Sequence, residues 1–283
     1  MSSRMDTCFS TIDEGEVYGS DCRAAARADI LAALRRSEGS HVATSPMPTL
    51  APDAGTGKRE VRGPTLGRAH LPGGTPMATD LWALIHPERQ ALLNDVAGLN
   101  DEQWNTPSLC AGWSVRDTVA HLTSAAKMTP GRYIGSWVGA GFRFNAMNEK
   151  GIAAQRGSTP ADTVAAFRSQ LTATTHPPGP LQATVSEAVL HGEDIRRPLG
   201  IKHAYTPEAL VVVGKFVTGG IGFLGGKRRS TGLKLTASDA EWTHGDGLEV
   251  TGPFASILIA LTGRKAGLAD LSGDGVATLT QRL

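Results

Sequence analysis

Three cysteines in 283 residues, Cys8, Cys22 and Cys110, are too few and too scattered for a disulfide framework or a CxxC metal cage. Any bound metal would therefore rest on histidines and carboxylates. No apolar run approaches the roughly 20 residues that a bilayer-spanning helix needs. The longest, Ala209 to Leu224, is broken by Lys215 and by glycines. The N-terminal MSSRMDTCFSTIDEGEVYGSD lacks the continuous apolar core of a secretory leader and carries acids in its place, so the reading is a cytoplasmic protein that avoids membranes. Charge of one sign is missing as well: 28 Lys plus Arg stand against 27 Asp plus Glu, a net charge of +1. That balance gives no general attraction for nucleic acid or anionic lipid and leaves small molecules as the expected partners. Hydrophobic residues make up 40% of the chain, enough for the core of one large domain or two modest ones.

Familiar catalytic motifs are absent or incomplete. AGTGKR resembles a phosphate-binding loop, but Pro52 stands where its first glycine belongs and Arg59 where its Ser or Thr belongs. His191-Gly192-Glu193 has the H-x-E of zinc deaminases without the P-C-x-x-C that must follow. HExxH does not occur, and no G-x-S-x-G elbow supports a Ser-His-Asp hydrolase.

The chain changes character near residue 76. From Gly39 to Pro76 it is rich in Gly, Pro, Ser and Thr and has neither helical nor strand periodicity, the pattern of a disordered linker. An Ala-rich helix is expected before it, at Asp21 to Arg36. Residues 1–76 are read as a disordered extension, either a regulatory tail or an over-extended start. From Met77 the pattern becomes helical. Leu81, Ile85, Leu92, Val96 and Leu99 predict a long first helix with Pro87 as a kink point. Ser114 with Asp117 three residues on forms a capping-box signature for a second helix to about Met128. Thr159-Pro160 opens a third, to about Thr174. A fourth runs from Leu181 to about Arg197, where Pro198 and Gly200 end it. Four helices imply a bundle. Thr206-Pro207-Glu208 starts a fifth. Alternation in Gly232–Ala237 and in Gly247–Thr251 then predicts two paired strands, Pro253–Thr262 a buried helix, and Gly275–Leu283 a short helix or strand. The expected fold is mainly α with a small α+β part: a helical bundle over 77–200 and a small α+β domain over 201–283.

Glu187 and His191 stand four apart on the fourth helix, so one turn brings both side chains to one face, with Thr184 and Asp194 beside them. Taken alone, such a pair is more often a solvated helix face. His121 borders the apolar stripe of Val115, Val119 and Leu122, where a lone histidine is usually a satisfied core residue. Together, two imidazoles and one carboxylate make a three-ligand set for Zn²⁺ or a similar divalent ion, with the open position a catalytic site requires. Asp194 is placed to orient a histidine from behind. Cys110, with no local motif around it, reads as a small apolar residue.

The segment Cys110-Ala-Gly-Trp-Ser-Val-Arg-Asp-Thr-Val-Ala-His121-Leu resembles the GWSVRDLVAHL-type signature of the mycothiol-dependent maleylpyruvate isomerase family, one of the DinB-like helical bundles. Glu187-Ala-Val-Leu-His191 resembles its second signature. Gly252-Pro253, Leu261-Thr262-Gly263-Arg264 and Leu271-Ser-Gly-Asp274-Gly resemble its C-terminal segment, and the three occur in family order. The resemblance covers about Leu81 to Arg282. It implies a DinB-like four-helix bundle with zinc on His121, Glu187 and His191, a small C-terminal domain closing over it, mycothiol as thiol cosubstrate, and Arg264 as an active-site arginine facing substrate charge. The implied reaction is thiolate addition to an electrophilic small molecule, with cis-trans isomerisation as in maleylpyruvate to fumarylpyruvate. Two alternatives remain open: a mycothiol S-transferase acting in detoxification or biosynthesis, which leaves a stable thioether, and a non-catalytic metal-dependent binding protein.

Overall fold

Helix-starting side chains set the helices from Asp80 onward. The structure, a computed structural model, describes residues 80–219 and 224–283. The helix expected at Asp21–Arg36 and the linker at Gly39–Pro76 lie outside the described residues. Asp80 accepts the Trp82 N–H and opens α1 (Leu81–Val96). This helix runs through Pro87, and it stops at Val96, short of the expected Leu99, because Asn100 caps the next element, the short α2 (Asp101–Asn105), in a full capping box. Ser114 and Asp117 form the anticipated reciprocal box at α3 (Val115–Ala126). Thr129 caps α4 (Pro130–Gly139), and α5 (Phe144–Arg156) follows. Thr159 opens α6 (Pro160–Arg168), which ends well before the expected Thr174. Arg89 from α1 supplies the reason: its Nη1 donates to the carbonyls of Gln170 and Ala173, satisfying this stretch without further helical turns.

The remaining elements are α7 (Leu181–Arg196), α8 (Pro207–Thr218), the short α9 (Gly226–Ser230), β1 (Leu233–Ala237), β2 (Thr243–His244), β3 (Leu248–Gly252), α10 (Phe254–Leu261), a 3-10 turn at Lys265–Asp270 and α11 (Val276–Thr280). The sheet order is β2-β1-β3. β2 joins β1 antiparallel, and β3 joins it parallel, in a register running from Leu233↔Leu248 to Ala237↔Gly252. Leu233, Leu235 and Ala237 face inward as their alternation requires. The fold class is thus as expected: mainly helical, with a small α+β part at the C-terminal end.

Helix α7 fixes the geometry of the site because it is held on two sides. Val185, Val189 and Leu190 belong to a core shared with β1, β3 and α10. Near its end, Ile195 joins a second core with Leu92, Val96, Val119, Leu122 and Phe167. Each such fully buried aliphatic side chain contributes about 1.5–3 kcal/mol of transfer free energy. Rotation of α7 would expose one set or the other. Phe254, Ile257, Leu258, Ile259, Ala260 and Leu261 of α10 are all fully buried, as expected of a helix apolar on every face. Among the described residues, no helix is long and apolar enough to cross a membrane.

Candidate metal centre

Ser108 to Ser114 form a tight loop ahead of α3. Pro107 and Ser114 bridge, Ser108 Oγ donates to the Trp113 carbonyl, and the Trp113 N–H closes a turn on the Cys110 carbonyl. Gly112, at φ 78°, takes the left-handed position that a side chain would resist. The Leu109 N–H bonds to the Asp194 carbonyl at 3.1 Å, pinning the loop to α7. His121 sits on α3; Glu187, His191 and Asp194 lie along one face of α7.

The three expected ligand residues come together. His121 Nε2 lies 3.2 Å and His191 Nε2 3.5 Å from the same Glu187 oxygen, Oε2. One donor atom from each falls within 4.8 Å of the others. Ligand bonds of about 2.0–2.1 Å in tetrahedral array put donor atoms about 3.3 Å apart, so this spacing fits one small divalent ion. The chemistry of the set fits too: the other ring nitrogen of His191, Nδ1, is hydrogen-bonded to Asp194 Oδ2 at 2.8 Å, which leaves Nε2 as the ligating atom. Both histidines are 12% exposed and Glu187 is 38% exposed, so the carboxylate forms the open side. Trp113 walls the other, its ring centroid 4.8 Å from that of His121 and 6.3 Å from that of His191.

Behind His191 lies a second layer. Asp194, fully buried, also takes the Cys110 thiol at 3.0 Å and two donors from Arg264, Nε at 3.0 Å to Oδ1 and Nη2 at 2.8 Å to Oδ2. The third guanidinium nitrogen, Nη1, donates to the Thr262 carbonyl at 3.1 Å. Arg264, expected to face substrate, is in this structure bound through all three nitrogens within the protein. Its position follows from the end of α10: the Gly263 N–H returns to the Ala260 carbonyl and the Arg264 N–H to the Ile259 carbonyl, with Gly263 at φ 97°. This is a Schellman stop, and it turns Arg264 back toward α7. Cys110 is the residue that sequence reasoning undervalued. Only its place beside His191 and Asp194, 84 residues on from it, reveals its role. Although Cys110, His191 and Asp194 could be counted as a second donor set, Arg264 already neutralises Asp194, and the group is a hydrogen-bond network.

Electrostatics follow the geometry. Burial alone would raise the Glu187 carboxyl, but the charges of His191, His121 and Arg264 and the hydrogen bond from His121 outweigh it and hold its pKa at about 2. Burial would lower His191; Glu187, Cys110 and Asp194 instead raise it well above the usual imidazole value. Burial would raise Asp194, and its bonds to His191 and Arg264 pull it far down. Arg264 is shifted upward by the same pairing against the opposing effect of burial.

Residues 85–184 match the family model described as the mycothiol maleylpyruvate isomerase N-terminal domain. The match takes in His121 and ends before Glu187 and His191. No curated protein matches the sequence. Two solved structures resemble the chain: a histidine-to-alanine mutant of the mycothiol-dependent maleylpyruvate isomerase, at 16% identity and TM-score 0.45, and the mycothiol-dependent maleylpyruvate isomerase, at 15% and 0.40. Each covers 69% of this chain and 91% of its own.

Proposed function

We propose, from the membership of residues 85–184 in the mycothiol maleylpyruvate isomerase N-terminal domain family, that this chain is a metal-dependent enzyme that activates mycothiol for addition to an electrophilic small molecule. The observation that carries this reading is the convergence of two imidazole Nε2 atoms on one oxygen of Glu187.

In this proposal His121, Glu187 and His191 hold the ion. A divalent ion such as Zn²⁺ supplies a positive centre beside which a thiol loses its proton near neutral pH. Asp194 fixes the His191 ring by accepting from Nδ1, and the Trp113 indole excludes water from the histidine side. The thiol sulfur adds to one carbon of a conjugated cis double bond, whose electron pair moves to the neighbouring carbonyl as an enolate. The former double bond rotates. Collapse of the enolate breaks the carbon–sulfur bond and restores the double bond in its trans form, with the thiol unchanged. The proposed division of labour gives residues 77–200 the ion and residues 201–283 the enclosure of the site.

Elemental mass spectrometry on the full-length protein and on His121→Ala tests the first half: about one zinc per chain, lost in the variant, is expected. Proton NMR of maleylpyruvate incubated with the protein and mycothiol tests the second. A trans product with mycothiol recovered supports isomerisation, whereas a persistent thioether would redirect the reading to S-transfer. Protein that stays metal-free in the presence of zinc would end it.

A further inference from the structure

We propose, resting on the metal reading above, that Arg264 is a positioning residue that clamps Asp194 and so sets His191 for metal binding, which makes zinc affinity dependent on the C-terminal segment.

The clamp is geometrically complete. Two parallel donors from one guanidinium meet the two oxygens of Asp194, the arrangement that suits a planar fork to a carboxylate. Asp194 is 0% exposed, and a buried carboxylate that loses its cationic partner is strongly destabilised. Its remaining contacts are the Nδ1 of His191 and the weak thiol donor of Cys110. Each nitrogen of Arg264 makes one hydrogen bond within the protein, which commits the guanidinium to Asp194 and the Thr262 carbonyl. Moving the guanidinium away to pair with another anion would open the clamp and leave Asp194 without its cation. Arg264 and the Asp194 it braces are 70 residues apart, so the end of α10 reports directly on the face of α7.

Zinc affinity, measured by competition with a chromophoric chelator, provides the test, on full-length wild type, Arg264→Ala, Arg264→Lys, Asp194→Asn and the double variant Arg264→Ala with Asp194→Asn. Loss of an outer partner of a metal-bound histidine is expected to weaken zinc by about 10- to 100-fold. Arg264→Lys, which keeps the charge and loses the fork, should fall between wild type and Arg264→Ala. The double variant should bind no more weakly than Asp194→Asn alone, because both changes break one relay. Wild-type zinc affinity in both Arg264 variants, or losses that simply add, would overturn the proposal. Arg264→Lys carries the test should Arg264→Ala fail to fold. If the wild type takes up no zinc, the metal reading fails separately. The brace is then tested through the exchange-protected Nδ1–H resonance of His191 in the metal-free protein, assigned with His191→Gln. Its loss in Arg264→Lys is expected, and an unchanged resonance would overturn the clamp.

Discussion

The indole of Trp113 and the imidazole of His121 lie with ring centroids 4.8 Å apart and their planes tilted by 42°. Of the five tryptophans in the chain, Trp113 is the one against the two expected histidine ligands. Zinc binding should therefore change its fluorescence. A saturable emission change on titrating metal-free protein with zinc is expected, with a matching wavelength shift, and Trp113→Phe should abolish it while leaving helical circular dichroism intact. An undiminished response in Trp113→Phe would place the metal elsewhere.

Gly263 stands where α10 must stop. A side chain at this positive φ costs about 1–2 kcal/mol, and an alanine Cβ would also lie 3.3 Å from Arg229 Nη2. Gly263→Ala should lower stability by about that amount, read from urea midpoints. It should also weaken zinc, because Arg264 hangs from this turn. A stability loss with unaltered metal affinity would separate the two effects and count against their coupling.

The pH dependence has a definite sign. In metal-free protein His191 is held protonated above its ordinary pKa of 6.5, with Glu187 ionised. Zinc must displace that proton, so affinity should rise about tenfold per pH unit through the neutral range and level off above the raised His191 value. Stability of the metal-free protein runs the other way. The His191 contribution is complete below the unfolded value of 6.5 and is lost as pH climbs through the folded one. Chelator competition and urea unfolding between about pH 6 and pH 9 would read both slopes. Affinity that is flat across the interval would exclude His191 as a ligand.

At Gly192 two ordinary rules oppose each other. Alanine in a helix interior is favoured over glycine by about 1 kcal/mol. Here a Cβ would fall 2.8 Å from Arg196 Nη1 and 2.9 Å from the Tyr205 hydroxyl. Arg196 is 1% exposed and bonds Asp95 Oδ2 at 2.7 Å and the Tyr205 hydroxyl at 2.9 Å, so its head cannot move aside freely. Overpacking of this kind costs about 1–3 kcal/mol, and the clash should prevail. Gly192→Ala is expected to lower the thermal midpoint; a higher one would show that the network yields.

Where local chemistry sets an element, the sequence alone reveals it. Ser114 with Asp117 and Thr159 with Pro160 mark true helix starts. The alternation of Leu233, Leu235 and Ala237 marks a true strand. Helix α4 escaped notice because PGRYIGSWVG has two interior glycines and no buried residue. Helix α5 buries only Met147 and Ile152, too little for a readable stripe. Strand β2 is two residues long and owes its form to β1. Glu187 and His191 were legible as an i,i+4 pair, and His121 from its place beside an apolar stripe. The clamp on Asp194 was not, because a bidentate pair across 70 residues leaves no trace in spacing.

The parallel register of β1 and β3 also bears on the order in which the molecule assembles. Its partners are close in sequence, as in Lys234 and Glu249, 15 residues apart, so little chain entropy is spent in closing that sheet. His121 and Glu187 are 66 residues apart, and Asp194 waits for Arg264 across 70. Long-range contacts are the slow ones to form. By separation alone, the sheet is expected to close before the ligand face, with metal capture following the pairing of α3 with α7.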